Sequence, residues 1–515
     1  MKMTACLTRL VVAIPVMAGL VVVAADADGG FQSIFNGKDL SGWQGNPELW
    51  SVQDGAITGV TKADPRLTHN TFLVWNDGVV DDFELRLSYR IVNGNSGIQY
   101  RSQVAEPGKF GPVVGGYQAD FEAGKTYSGI LYEERGRGIL AERGQKTVLK
   151  ADPSDPNKLK IEVVGSVGKS EEIQAKIKHE DWNEYVIIAR GNHLQHFING
   201  VQTVDVVDEH AAKASPSGVL ALQIHVGPPM TVQFKDIRLK RLKLAQGKKI
   251  VLVAGAGSHG SGDHEHNAGI QLFAKCLQDQ PGVLVSCYLS GWPKDPTAYD
   301  NADAIVIYSD GGGGHPFVQG DRLKVIGEAM KRGAGLGCVH YAVEVPKERG
   351  GAEFLRWTGG YFETHWSVNP FWNAEFESLP THPVTRGVKP FGARDEWYYH
   401  MRFAEGMQGV TPILSALPPA DTLSRPDGPH EGNPEVRKAV LERKEPQHVM
   451  WVFDRPDGGR GFGFTGGHSH KTWGDDNFRK VVLNAIVWIA HVDVPPDGVQ
   501  STVTPEDLKP NLDAK

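Results

Sequence analysis

Polar side chains spaced two apart are the first chemistry that this 515-residue sequence offers. Gln118, Asp120 and Glu122 alternate with Tyr117, Ala119 and Phe121, so an extended strand places the polar three on one face and the apolar three on the other. The same alternation puts Gln99 with Arg101, opposite Ile98 and Tyr100, and His225 on the face of Gln223, away from Leu222 and Ile224. A carboxylate, an imidazole and a guanidinium on one surface can remove a proton and stabilise the charge left behind. The solvated outer face of an antiparallel sheet shows the same pattern without any chemistry. A second set follows: His259, His264, His266, His340, His365 and His468, with Glu396. Imidazoles titrate near neutrality and ligate metals, so this set can serve acid–base catalysis, the reading preferred here, or hold a divalent metal. Each histidine alone can equally be a hydrogen-bonded structural residue. Glu265 between two histidines does not make the His-Glu-x-x-His helix motif. Gly311 to Gly314 lacks the Gly-Lys-Ser/Thr ending of a phosphate loop.

Two kinds of scaffold must carry these sets. From Phe31 to about Leu242 the pattern has period two, as in Phe83 to Ile91, with a hairpin signal at Asn199-Gly200, which predicts an all-β sandwich or barrel. His193 and His196 fall in a predicted hairpin and read as surface residues. After a polar, basic linker at 243–248, strands and helices alternate. Strands are predicted at Ile250 to Ala254, Val283 to Tyr288, Ala304 to Ser309 and Leu336 to Val339, and helices at Ala268 to Leu277, Arg322 to Arg332 and Phe478 to Ala490. That order predicts a parallel sheet covered on both faces. The domains are therefore 28–242 and 249–491, with 492–515 a disordered tail rich in proline and charge.

Lys2 and Arg9 precede an apolar run from Leu10 to Val23, closed by Val23-Ala24-Ala25. This reads as a secretory leader at 1–25, cut after Ala25 or Ala27, which predicts a secreted or periplasmic protein without a membrane anchor. A net charge of −7 with no basic block argues against nucleic acid. Beyond Cys6, only Cys276, Cys287 and Cys338 remain, which is no disulfide framework. Twelve tryptophans suit stacking on sugar faces, although most such rings belong to cores.

Four segments of the first domain resemble the 3-keto-disaccharide hydrolase family: Phe35 to Trp43, Asn95 to Arg101, Gly116 to Asp120 and Leu222 to Pro228. The resemblance implies a concanavalin-like jelly roll with a sugar on its concave sheet. It also implies a chemistry, because a ketone at C3 acidifies the hydrogen on C2 and lets the C1 substituent leave by elimination before water adds. That route needs one base and an enolate stabiliser and does not require the two carboxylates of ordinary glycosidases. On this resemblance Asp120 or His225 is the base and Arg101 the stabiliser, with Asn95, Gln99 and Gln118 binding the sugar.

Residues 249 to 491 resemble the ThuA-like trehalose-utilisation family, which shares its fold with class I glutamine amidotransferases. The likeness is carried by Ser258 to His266, Gly337 to Ala342, Gly359 to His365, His382 to Gly387, Asp395 to Tyr398 and Gly466 to His470. An amidotransferase would present a cysteine at a tight strand-to-helix elbow, with small residues two positions to either side. Cys338 lies between Leu336 and His340, both too large, whereas His340 lies between Cys338 and Ala342. The elbow is thus expected to present a histidine. The terminal His-x-Glu pair is also replaced by His468-Ser469-His470, so glutamine hydrolysis is not expected. His340, His468 and Glu396 become the expected catalytic groups of this domain, and His259, His264 and His365 its substrate contacts. No cofactor is required, although a divalent metal is admissible. The two resemblances together imply a small-molecule or oligosaccharide substrate and cleavage of 3-keto-glycosides or 3-keto-disaccharides, with the second domain acting on or binding the keto-sugar. The alternative is a glycan-binding sandwich that anchors a ThuA-like, metal-dependent hydrolase.

Overall fold

The computed structural model describes residues 29–64 and 66–513. The expected leader at 1–25 lies outside the described residues. Alternation in Phe83–Val92 buries Phe83, Leu85, Leu87, Tyr89 and Ile91 and leaves the intervening residues half-buried. The strand belongs to a ten-stranded sheet that faces a seven-stranded one, giving a jelly-roll sandwich. Phe121 of the smaller sheet meets Tyr89 of the larger at a ring separation of 4.0 Å and Phe234 at 5.9 Å. The core lies between the sheets. His196 belongs to it, contrary to the surface position expected. Its Nε2 lies 2.9 Å from the Tyr100 hydroxyl, and burial lowers its pKa to about 3, so the ring is neutral.

The second domain is built on a seven-stranded sheet in which Val283–Tyr288, Lys248–Ala254, Ala304–Tyr308, Gly335–Val339 and Arg460–Phe464 run parallel. Helices His266–Leu277 and Asp476–Ile489 cover one face, and Arg322–Lys331 covers the other. The sheet is not wholly parallel as expected, since Gln447–Asp454 and Val410–Ala416 continue it antiparallel. Gly458, at a φ of 86°, lies in the short turn between Asp454 and Arg460, and so tight a connection can join only antiparallel strands. The described stretch from 492 to 513 is ordered rather than a loose tail. Val494 and Val499 are buried, and the Val499 amide donates to Asn484 Oδ1 at 2.8 Å.

The segment expected as a linker is tied down as well, because the amides of Leu242 and Ala245 donate to Asp82 and the first strand of the second domain begins at Lys248. Beside it, four charged side chains with no solvent exposure join the domains. Lys249 Nζ donates to Asp81 Oδ2 at 2.5 Å, Arg241 donates to Asp295 Oδ2 at 2.9 Å, and Asn301 donates to Asp81 Oδ1 at 3.0 Å. Burial alone would raise the Asp81 carboxyl, but Lys249 and Arg241 hold it below its ordinary range. Removing one partner strands a buried charge, which costs about 3–5 kcal/mol. Asp81→Ala should therefore lose stability of that order in urea unfolding. Asp81→Leu combined with Lys249→Met, which deletes one charge of each sign, should lose much less.

Candidate functional site

In the sandwich, the outer face of the seven-stranded sheet carries buried polar side chains. Asp120, on Val113–Glu122, accepts from Asn95 Nδ2 and from Gln118 Nε2, each at 2.8 Å. The carboxamides of Gln118 and Gln99 meet at 2.6 Å, and Gln223 Nε2 donates to Gln118 Oε1 at 3.0 Å. Gln99, Gln118 and Gln223 are at most 1% exposed, so this face is not the solvated outer surface that alternation alone allows. Gly97 makes the arrangement possible. A Cβ there would lie 2.5 Å from Gln118 Cδ, so the glutamine reaches Asp120 across a bare backbone. Burial raises the Asp120 carboxyl to about 7 despite its two amide donors.

The sequence did not single out Glu134 and Tyr132, which extend the face along Leu131–Glu134. Glu134 accepts from Asn70 and Gln223 at 3.1 and 3.2 Å, and burial lifts its carboxyl above the usual range. Tyr132 pairs across the ladder with Gln118, and the nearby Glu134 and Asp120 add to burial in raising its phenol. The alternation of Leu131-Tyr132-Glu133-Glu134 was the signal that could have found them. His225 lies just past its strand, half-buried, with Nδ1 2.5 Å from the Val226 carbonyl. It lines a cleft of about 510 Å³ with Asn95, Glu122, His179 and Glu180.

Arg101 does not join this face. It has a φ of 49° beside a register shift in the ladder, which breaks the alternation with Gln99. Its guanidinium donates to the Asp81 carbonyl, to Asp82 Oδ1 and to the Gly191 carbonyl at 2.6–2.7 Å. It therefore ties the sandwich together beside the domain interface and offers nothing to an enolate.

In the second domain, loops after parallel strands bring His264, His340 and His468 together with Glu396, the last residue of the antiparallel hairpin strand Phe391–Glu396. His264 Nε2 lies 3.1 Å from both His340 Nε2 and His468 Nδ1, while Glu396 Oε2 lies 2.9 Å from His468 Nδ1 and 3.6 Å from His340 Nε2. His340 sits at the end of Gly335–Val339 with a φ of 56°, the strained elbow that its small neighbours imply. Cys338 is 1% exposed and burial raises its thiol pKa, so it is no nucleophile. His259 stacks on His264 at 3.6 Å, and both also have positive φ. Held strain of this kind collects at functional sites. His266 is buried against the Ala256 carbonyl, and burial lowers it to about 4. His365 is exposed and forms no part of the cluster. Burial opposes protonation of His468, but Glu396 outweighs it and raises the ring's pKa. Burial, reinforced by His264, drives His340 far down. Beside the cluster lies a pocket of about 500 Å³, lined in part by Asn369, Phe371, Arg394, Glu396, Arg425 and His430. Phe371 is 47% exposed, with its ring 4.7 Å from that of His468.

The chain thus joins a jelly-roll sandwich with a polar sheet face to an α/β domain with a histidine cluster at its strand ends. Two family models match successive parts of the chain. Residues 30–240 match the model described as a 3-keto-alpha-glucoside-1,2-lyase-like domain, and residues 251–489 match that described as trehalose utilisation, ThuA. No curated protein matches the chain. Among solved structures, a protein of Parabacteroides distasonis ATCC 8503 provisionally named a glycosyl hydrolase is 18% identical, over 41% of this chain and 99% of its own, with a TM-score of 0.28. The carbohydrate-binding module CBM66 of Bacillus subtilis is 14% identical, over 39% of this chain and 95% of its own, with a TM-score of 0.24. A provisionally named ThuA-like protein of Bacteroides uniformis ATCC 8492 is 17% identical, over 49% of this chain and 96% of its own, with a TM-score of 0.35.

Gly97→Ala tests the polar face. The added methyl must push Gln118 off Asp120, and losing a donor to the charged form raises a carboxyl pKa. A carbon-13 NMR titration should place the Asp120 midpoint above that of the unaltered protein.

Proposed function

We propose that the sandwich domain cleaves 3-keto-glucosides by elimination across C1 and C2, with Asp120 as the base. The C3 ketone acidifies the C2 hydrogen, and the Asp120 carboxylate takes that proton. The electron pair left on C2 becomes the C1–C2 double bond as the C1–O bond breaks. The departing oxygen takes its proton from solvent water. Water then adds to the enone. With Arg101 committed to the interface, charge on the C3 oxygen is met by neutral donors, the Tyr132 phenol and the carboxamides around Gln118.

The observation that carries this reading is one buried carboxyl, at the centre of a sheet face, whose pKa lies near neutrality. A base is most effective when its pKa lies close to the working pH. The description of the matching family as 3-keto-alpha-glucoside-1,2-lyase-like supports the substrate class. The ThuA domain acts on or binds the keto-sugar in the same reading. Export, on the strength of the leader expected at residues 1–25, belongs to it too.

Release of the aglycone from a 3-keto-glucoside tests it. The base must be ionised, so kcat/KM should rise with pH through about 7 and level off above. Asp120→Asn should lower kcat by about 10²–10⁴-fold while sugar affinity is retained, and should abolish that pH limb. If turnover and affinity fall together, the sandwich is a binding module instead.

A further inference from the structure

We propose that His264, His340, His468 and Glu396 form the ligand cage of a divalent transition-metal ion in the second domain, independently of the chemistry assigned to the sandwich. Hydrogen bonding fixes two of the rings. His264 Nδ1 lies 2.7 Å from Asp310 Oδ1, which can only accept when ionised, so Nδ1 carries the proton and Nε2 presents a lone pair. His340 Nδ1 lies 2.8 Å from the Thr465 carbonyl, also an acceptor only, so its Nε2 presents a lone pair as well. These two lone pairs face each other at 3.1 Å, inside the protein, with both side chains fully buried. Two neutral acceptors at that distance repel, and a cation between them turns the conflict into two bonds.

The other corners fit the same centre. His468 Nδ1 and Glu396 Oε2 complete a set of four donor atoms within 4.8 Å of one another. Ligand bonds of about 2.0–2.1 Å in a tetrahedral site place neighbouring donors about 3.3 Å apart. The pairs measured here span 2.9–3.6 Å. The partners behind the ligands are those that orient metal-bound histidine: a carboxylate on His264, itself held by Ser258 Oγ at 2.9 Å, and a backbone carbonyl on His340. Three imidazoles with one carboxylate suit zinc or a neighbouring divalent ion better than calcium or magnesium. His468 and Glu396 are the slightly exposed corners, at 8% and 14%, and Glu396 lines the pocket beside Phe371. The open side of the centre thus faces that pocket, where an oxygen ligand such as a sugar carbonyl and its neighbouring hydroxyl would reach the ion.

The full-length protein should retain about one metal ion per chain by elemental analysis. After chelation it should take up Co²⁺ with the visible d–d bands of a nitrogen–oxygen site, and acetohydroxamate, a two-oxygen ligand, should shift them. His264→Ala and Glu396→Gln should abolish stoichiometric uptake, while His365→Ala, outside the cluster, should bind as the unaltered protein does. Should a variant misfold, the chelated unaltered protein still decides: its thermal midpoint should rise on adding Zn²⁺. Absence of retained metal, of Co²⁺ bands and of that rise would overturn the proposal. Bands that acetohydroxamate leaves unmoved would overturn the open side.

Discussion

Two aspartates, an arginine and a lysine, sealed from water between the domains, set the terms for the rest of the molecule. Asp81 and Arg241 come from the sandwich, and Lys249 and Asp295 from the α/β domain, and the two closest ion pairs, Lys249 with Asp81 and Arg241 with Asp295, both cross between the halves. A buried ion without its partner is far costlier than the pair, which ties the relative placement of the domains to electrostatics as much as to apolar contact. The same region recruits Arg101. Its bonds to the Asp81 carbonyl and to Asp82 brace the segment that presents the Asp81 carboxylate, and that employment keeps its guanidinium off the polar face of the seven-stranded sheet.

What remains on that sheet is a chain of carboxamides around Asp120, with Glu134 at its edge. In a low-dielectric setting the amide donors stabilise the ionised form of Asp120, and desolvation opposes them; the balance falls near neutrality. The second domain solves its own problem of buried polarity differently. Its histidines are held by acceptors on their outer nitrogens, and this turns their inner nitrogens toward one another. One site is tuned by donors that converge on a carboxylate, and the other by acceptors that orient rings.

Much of this could be read from residue order, and the failures have specific causes. Period two assigned faces correctly wherever strands were regular, as for Gln118 and Asp120 against Tyr117 and Phe121. It failed at Arg101, where a positive φ and a register shift break the alternation, and backbone conformation of that kind leaves little trace in a non-glycine residue. His196 was misplaced because a polar ring was taken for a surface one, whereas two tyrosine hydroxyls satisfy it inside the core. Apolar Val494 and Val499 outweighed the proline and charge around them and ordered the last stretch of the chain. The histidine cluster was legible as a set, since the small residues around position 340 signalled the elbow. Which histidines met could not be read: His365 shares the motif-bearing loops and positive φ of its fellows, yet lies apart.

The elbow also bears on how such a domain could change its trade. A cysteine at 340 would occupy the turn where related folds keep a nucleophile, but it would delete the ring anchored to Thr465 and open a gap beside His264. Thiol chemistry and the imidazole cluster are therefore competing tenants of one strained peptide turn.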